Sequence, residues 1–384
     1  MQTFQTFFIG GYECADHINR SGDRINLLQE TQHDIRVDED YKMLSDIGIK
    51  TVREGICWSH VERNAGVYDF SEVHNRMIAA QKYGIQQIWD LIHFGYPDGI
   101  YPTHPLFCDR FVKLCAAFAA FYKANASQQL FVVPINEISF LSWHSGDVRG
   151  TVPFAVNSGW DIKYHLCKAA ILGIQTLRNI DPDCRIVLVE PLVKIHSLFP
   201  EDPAFAEQNQ HQFQAMDIIA GRMCPELGGR EDYLDLLGFN YYWNCQWHFE
   251  SGPLPWPDVE QNRTPLSELL LMAYNRYQKP MFLSETGHFG SGRLEWLLEI
   301  SEECLSAQAK GVDLKGVCIY PVTDRPDWDD ITRYCQCGIW DLDAEGNRVP
   351  HLEYIDGIVQ AQTLFEVKKP NIIDFIVEQF KELI

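Results

Sequence analysis

No run in this chain approaches the roughly 18 consecutive apolar residues of a membrane-spanning helix, and the amino terminus lacks the basic-then-apolar order of a secretion signal. A soluble, cytoplasmic protein is expected. Positive charge is scarce, with 32 Lys plus Arg against 53 Asp plus Glu and a formal net charge of −21. A surface that acidic repels phosphate backbones and anionic headgroups, so neither nucleic acid nor a membrane surface is expected as a partner. No Ser/Gly-rich linker or low-complexity tract divides the chain, and the Pro-rich stretch around Pro253 to Pro257 reads as a loop between two apolar runs. Metal-ligand patterns are missing as well: there is no H-x-H and no H-E-x-x-H, and the C-x-C of Cys335 and Cys337 is too tightly spaced for a zinc knuckle. Neither a metal nor a cofactor is expected.

What is present is apolar material in quantity. Of 384 residues, 46% are hydrophobic and 12% aromatic, enough for a large core and too much for a disordered chain. Several of the twelve cysteines, such as Cys57, Cys115 and Cys318, sit inside apolar runs, where a reduced thiol behaves as a small hydrophobe. A reducing compartment is therefore expected. Eight short apolar runs recur near residues 6–12, 49–56, 85–92, 130–136, 185–190, 234–240, 280–285 and 314–320. Between and after them, helical spacing predicts helices over 39–47, 71–83, 109–124, 161–179, 205–222, 264–277 and 293–310, with two more near 350–364 and 371–383. Strand and helix alternating eight times is the rhythm of a (β/α)8 TIM barrel. Nearly continuous apolar strands also fit parallel strands covered on both faces. A single catalytic barrel domain over 1–384 is expected, with the longest intervals, between the fourth and sixth runs, holding loop insertions.

Barrels of this kind build their sites at the carboxyl ends of the strands. The polar residues ending the eight runs are Glu13, Arg53 with Glu54, Asp90 with His93, Asn136 with Glu137, Glu190, Asn240 with Tyr242, Glu285, and Asp324 with Asp327. The sharpest signals are FVVPINE, ending in Glu137, and PMFLSE, ending in Glu285. One strand-end glutamate alone reads as a solvated residue or half of a salt bridge. Two of them, on the fourth and seventh strands of a ring of eight, face a substrate at the axis from opposite sides. Paired carboxylates flanking one bond suit glycosidic cleavage, in which one protonates the leaving oxygen and the other meets the oxocarbenium-like centre.

With these residues in view, the chain resembles the family 1 glycoside hydrolases, the retaining β-glucosidase and β-galactosidase group. REGICWSHV from Arg53 to Val61 is similar to the family's R-F-S-I-S-W-S-R-I, and HFGYP from His93 to Pro97 to H-W-D-L-P. INE at Ile135 to Glu137 matches F-N-E, LGFNYYW at Leu237 to Trp243 matches L-G-I-N-Y-Y-T, and FLSETG at Phe282 to Gly287 matches Y-I-T-E-N-G. YPVTDRPDW at Tyr320 to Trp328 matches W-S-L-L-D-N-F-E-W at equal spacing, and CGIWDLD at Cys337 to Asp343, with Arg348 and Pro350, echoes F-G-I-V-Y-V-D and R-x-P. The order is kept along nearly the whole chain.

The resemblance implies Glu137 as general acid/base and Glu285 as nucleophile, with Arg53 and Tyr242 holding the nucleophile. It implies Asn136 and His93 on sugar hydroxyls, Asn240 in the same strand-end motif, Tyr320 in place of a stacking tryptophan, and Asp327 and Trp328 on the far hydroxyls. The departures are equally specific. The family's first-strand glutamine is absent, and FFIGGYECADH offers Glu13 or His17 instead; Ile138 replaces the proline after the acid/base, and Phe94, Gly95, Tyr320 and Asp327 replace Trp, Asp, Trp and Glu. A retaining β-glycoside hydrolase acting on a small-molecule carbohydrate or glycoside is expected. The alternatives are a transglycosylase using the same glycosyl-enzyme and a sugar-binding relative without turnover. Sugar, aglycone and oligomeric state are not readable.

Overall fold

A computed structural model describes residues 3–199, 203–260 and 262–366. Each of the eight apolar runs contains a strand: β1 (Phe8–Gly11), β2 (Thr51–Gly55), β3 (Gln86–Asp90), β4 (Phe131–Val133), β5 (Arg185–Pro191), β6 (Leu236–Asn240), β7 (Met281–Thr286) and β8 (Leu314–Ile319). All pair in parallel with their sequence neighbours, and β1 closes the ring against β8 through Phe8↔Val317 and Ile9↔Cys318. This is the (β/α)8 barrel expected from the alternating pattern.

Alternation along each strand sends successive side chains to opposite sides. In β5, Val187 and Val189 join a cluster inside the barrel with Ile9, Ile88, Phe131, Val133, Leu236, Phe282 and Cys318, while Ile186 and Leu188 join the layer beneath the helices. Both faces are buried, which is why the strands read as nearly continuous apolar runs. Phe4, packed on Phe131 and Phe282 with ring centroids 6.1 and 5.1 Å away, fills one end of this interior. The other end, above these apolar layers, is occupied by polar side chains from the strand ends.

The outer helices follow the predicted spans closely, as in Ser71–Tyr83, Phe107–Asn125, Gly159–Ile180 and Gly292–Ala309. The span predicted over 205–222 is instead two short helices, Pro203–Gln210 and Gln214–Ile219, joined by a 3-10 turn. The segment predicted as a helix over 371–383 lies outside the described residues. Short helices in the mouth loops, Trp58–Val61 and Ile138–Gly146 among them, carry no sequence expectation. No helix among the described residues is long and apolar enough to cross a membrane.

Candidate active site

Arg53 is the hub of the mouth. It projects inward from β2 and is 1% exposed, so each of its donors needs a partner. Nε and Nη2 donate to Asp90 Oδ1 and Oδ2 at 3.0 and 2.6 Å, Nη2 also to Asn136 Oδ1 at 2.7 Å, and Nη1 to Ser284 O and Glu285 Oε1 at 3.0 and 2.8 Å. The planar fork thus ties β2, β3, β4 and β7 together. Burial alone would lower the guanidinium pKa, but Asp90 and Glu285 outweigh it and raise it. Asn136 has its oxygen taken by Arg53, and its Nδ2 is buried without a protein partner. That leaves one donor unspent in the mouth.

Glu137 follows directly, with its backbone in the left-handed region at φ 46°. A side chain beyond glycine rarely adopts that conformation unless its surroundings impose it. Here the Glu137 N–H donates to Val189 O at 3.0 Å, and the helix Ile138–Gly146 begins at the next residue. Glu190, ending β5, caps that helix by accepting the Ser139 N–H at 3.1–3.2 Å on both carboxylate oxygens. Asn240 Nδ2 donates to Glu137 Oε1 at 2.9 Å, and its Oδ1 accepts from Ser284 Oγ at 2.6 Å, which fixes the orientation of the amide. Burial, then the charges of Glu285 and Glu190, push the Glu137 carboxyl well above the ordinary glutamate value, against the Asn240 hydrogen bond. Glu190 is itself pushed up to about 7 by burial, opposed by Ser139 and Lys163.

Glu285 reaches the mouth through an irregularity in β7. Leu283 pairs with Phe239 but Glu285 pairs with Asn240, so one extra residue is accommodated and the side chain is re-aimed. Ser284 and Glu285 then both contact the interior network. Arg53 Nη1 donates to Oε1 at 2.8 Å, and the Tyr242 hydroxyl donates to Oε2 at 2.8 Å. Burial, followed by the Glu285 charge, raises the Tyr242 pKa well above its usual value, so the phenol stays a donor. Glu137 is therefore held by a neutral amide and favours its protonated form, while Glu285 is held by a cation and a hydroxyl.

No protein-family model matches the chain. The aryl-phospho-beta-D-glucosidase BglA of Bacillus subtilis (strain 168) is 24% identical over 320 residues, covering 67% of this chain and 66% of that protein, just under two thirds of its length. Among solved structures, a beta-glucosidase from Thermotoga maritima in complex with glucoimidazole superposes with a TM-score of 0.73 at 15% identity, covering 93% of this chain and 98% of that one. The same enzyme in complex with azafagomine gives 0.71 at 16%, covering 86% and 87%. These structures share the barrel. In sequence the chain is thus similar to a phospho-β-glucosidase, and in fold to β-glucosidases.

The family 1 first-strand glutamine has no counterpart, and the geometry separates its two candidate substitutes. Glu13 is buried in the mouth: Oε1 accepts from Cys14 and Ala15 N–H at 3.1 Å and from the Tyr320 hydroxyl at 3.2 Å, and Oε2 lies 3.0 Å from Arg325 Nε. Burial would raise its carboxyl, but Arg325, His93, Ala15 and Tyr320 together hold it below the usual range. His93 donates or accepts on both sides, Nδ1 at 2.8 Å from Asp90 Oδ2 and Nε2 at 3.2 Å from the Tyr320 hydroxyl, with its ring parallel to Tyr320. Gly11 makes room for that tyrosine: a Cβ there would stand 2.2 Å from Tyr320 Cδ2.

His17 lies further out, 4.5 Å centroid to centroid from Trp328, and burial pushes its imidazole down to about 3. Trp328 packs edge-on against Phe94 and keeps its buried Nε1 without a partner. Asp327 is turned to its own loop, accepting from Arg333 Nη2 at 2.6 Å and from Asp329 N–H at 3.0 Å. Glu137, Glu285, Arg53, Tyr242, Asn136, Asn240, His93, Tyr320 and Glu13 thus share one connected network, with His17, Trp328 and Asp327 beyond it.

Three participants escape the motif reading. Asp90 and Glu190 are visible as strand-end acids but have no assigned task, and Arg325 is not singled out at all. Its signal is a pair of departures: a cation where the family 1 motif has Asn, and a carboxylate where the family has Gln. Among the described residues, Cys14, Asp90 and His93 are close enough to share a metal ion. Both Asp90 oxygens are already engaged by Arg53, one of them also by His93, and burial pushes the Cys14 thiol well up, which disfavours the thiolate a metal needs.

Proposed function

We propose that the protein is a retaining β-glycoside hydrolase, with Glu285 as nucleophile, Glu137 as general acid/base and residues 1–384 as one catalytic domain. One observation carries this reading: two strand-end carboxylates, buried in one network, are given opposite surroundings. Such a difference assigns acid and nucleophile in a single pocket. In the first step Glu285 attacks the anomeric carbon while Glu137 gives its proton to the leaving glycosidic oxygen; in the second, Glu137 takes a proton from water, which displaces Glu285 with net retention. Arg53 and Tyr242 hold the nucleophile through both steps. The unspent Asn136 Nδ2 suits the sugar 2-hydroxyl, a contact that strengthens in the transition state.

The substrate class is a small-molecule glycoside. The relative from B. subtilis is named for a phosphorylated aryl glucoside, and Arg325 brings a guanidinium to the wall beside Glu13, so phosphorylated sugars belong in the test. The experiment is a screen of aryl β-glycosides of several sugars, phosphorylated and not, with and without acceptor alcohols. Proton NMR of the first product should show the β-anomer. An α-anomer, or no cleavage of any member, would overturn the reading. Transfer to the alcohols exceeding hydrolysis would make the protein a transglycosylase.

A further inference from the structure

The C-x-C of the loop after β8 takes no part in the chemistry above, yet it is a constructed site. Cys335 N–H donates to Arg325 O at 2.9 Å, and Cys337 N–H donates to Asp324 Oδ1 at 3.0 Å. Between them Gln336 has φ +54°, and its carbonyl accepts the Gly290 N–H at 2.8 Å. This turn holds the two cysteines, one residue apart, in a single half-buried loop. Arg325 Nη1 stands 3.7 Å from Cys335 Sγ, and Cys337 Sγ lies 3.4 Å from Asp324 Oδ1. Asp327 and Arg333 complete the charged groups facing the pair. Both cysteines are half-buried, whereas eight of the other ten are buried.

A thiol beside a cation, with a second thiol one residue away that faces a carboxylate, has the surroundings of a reactive sulfur with a resolving partner. Consistent with that, the neighbouring Cys337 thiol, against burial and with help from Arg325, holds the Cys335 thiol down to about 7, while Cys337 itself is pushed well up by Cys335 and by burial. Burial instead pushes the thiols of half-buried Cys108 and Cys224 up.

We propose that Cys335 and Cys337 form a site of reversible oxidation by hydrogen peroxide, with Cys335 as the attacking sulfur and Cys337 as the resolving one. The Cys335 thiolate attacks one peroxide oxygen, the O–O bond breaks, and hydroxide leaves to become water, giving a sulfenic acid. Cys337 then loses its proton, with Asp324 Oδ1 placed to receive it, and attacks the Cys335 sulfur. The S–O bond breaks and a second water leaves. Two thiols and one peroxide become one disulfide and two waters, and a dithiol reverses the change. The site adjoins the sugar wall, because Arg325 contacts both Cys335 and Glu13.

The test uses the full chain. After limited peroxide and blocking with iodoacetamide, peptide mass mapping should find the Cys335–Cys337 peptide short of two hydrogens and unalkylated, with Cys108 and Cys224 still free, and dithiothreitol should restore both thiols. In Cys337→Ser, Cys335 should stop at a sulfenic acid trapped by dimedone; in Cys335→Ser, Cys337 should resist the same dose. Without any variant, iodoacetamide at neutral pH should label Cys335 at least about tenfold faster than Cys224, following its larger thiolate fraction. Equal labelling rates together with no disulfide at Cys335–Cys337 would overturn the proposal.

Discussion

Asn240 donates from Nδ2 to Glu137 Oε1 at 2.9 Å while accepting from Ser284 Oγ, the residue before Glu285, at 2.6 Å. One amide on β6 therefore links the carboxylate after β4 to the backbone that carries the carboxylate of β7. Glu137 receives this neutral donor, whereas Glu285 receives Arg53 and Tyr242. The predictions below rest on that asymmetry and on the buried charges around it.

Removing each carboxylate should fail differently. Glu285→Ala should abolish turnover on every substrate, and added azide should restore it as a glycosyl azide of inverted configuration. Glu137→Ala should lose about 10²–10⁴-fold on poor leaving groups and little in the first step on good ones, which need no proton. Equal losses across a leaving-group series in Glu137→Ala would contradict the assignment.

Tyr242→Phe keeps the ring and removes the hydroxyl that donates to Glu285 Oε2. A hydrogen bond to a charged group contributes about 1.5–3 kcal/mol, so kcat/KM should fall by roughly 10- to 150-fold with an unchanged circular dichroism spectrum. Steady-state kinetics on one aryl glycoside decides it.

Glu190→Gln retains an acceptor for the Ser139 N–H and removes a charge. Glu190, pushed up to about 7, gains that charge as the pH rises through neutrality, and the charge raises Glu137 further. A neutral glutamine should therefore move the alkaline limb of kcat/KM to lower pH, because Glu137 must be protonated to act as acid. A pH–rate profile superimposable on that of the unmodified protein would show that the Glu190 charge has no influence on the acid.

The sugar wall should control specificity. With Glu13 paired to Arg325, the position offers an acceptor-only carboxylate and lacks the N–H donor of an amide, and sites that mismatch a hydroxyl discriminate by factors of ~10⁴. Simple β-glucosides should be poor substrates, and Glu13→Gln combined with Arg325→Asn should move activity toward them. An unmodified protein that already cleaves an aryl β-glucoside with kcat/KM above ~10⁴ M⁻¹s⁻¹ would refute this.

Stability should follow the buried cluster around His33, which bonds Asp40 Oδ2 through Nδ1 at 2.6 Å and Glu54 Oε1 through Nε2 at 2.8 Å. Burial would lower this imidazole, but Glu54 and Asp40 outweigh it and raise it. A raised folded-state pKa stabilises fully below the unfolded value of about 6.5 and loses that contribution as pH rises through the folded value. Glu54, held down to about 2 by His33 and Arg76 against burial, acts with the opposite sign: its contribution is present above about 4.5 and lost as pH falls toward 2. Thermal midpoints should decline on both sides, and His33→Gln should flatten the alkaline decline. An unaltered alkaline slope in that variant would exclude His33 as its source.

Much of the barrel is legible in the sequence for a physical reason: parallel strands buried on both faces must be apolar at nearly every position, so eight runs mark eight strands. The same rule exposes the acids, because a charged residue directly after such a run, as at Glu137 and Glu285, falls at the strand end. Most helix spans among the described residues follow from periodicity; the helix expected over 39–47 begins earlier, at His33, and over 205–222 a 3-10 turn at His211–Phe213 interrupts the pattern. What tertiary structure alone decides is which side chains meet. Glu13 rather than His17 reaches the mouth because the chain after β1 curls so that Cys14 and Ala15 donate to it, and its partner Arg325 lies 312 positions away along the chain. The irregular pairing that re-aims Glu285, the Glu190 cap on the helix after Glu137, and the five bonds of Arg53 likewise join residues distant in sequence. Local pattern records whether a residue is buried and where a strand ends; the partner that a buried charge requires is chosen by the closure of the ring, which brings strand ends together from every part of the chain.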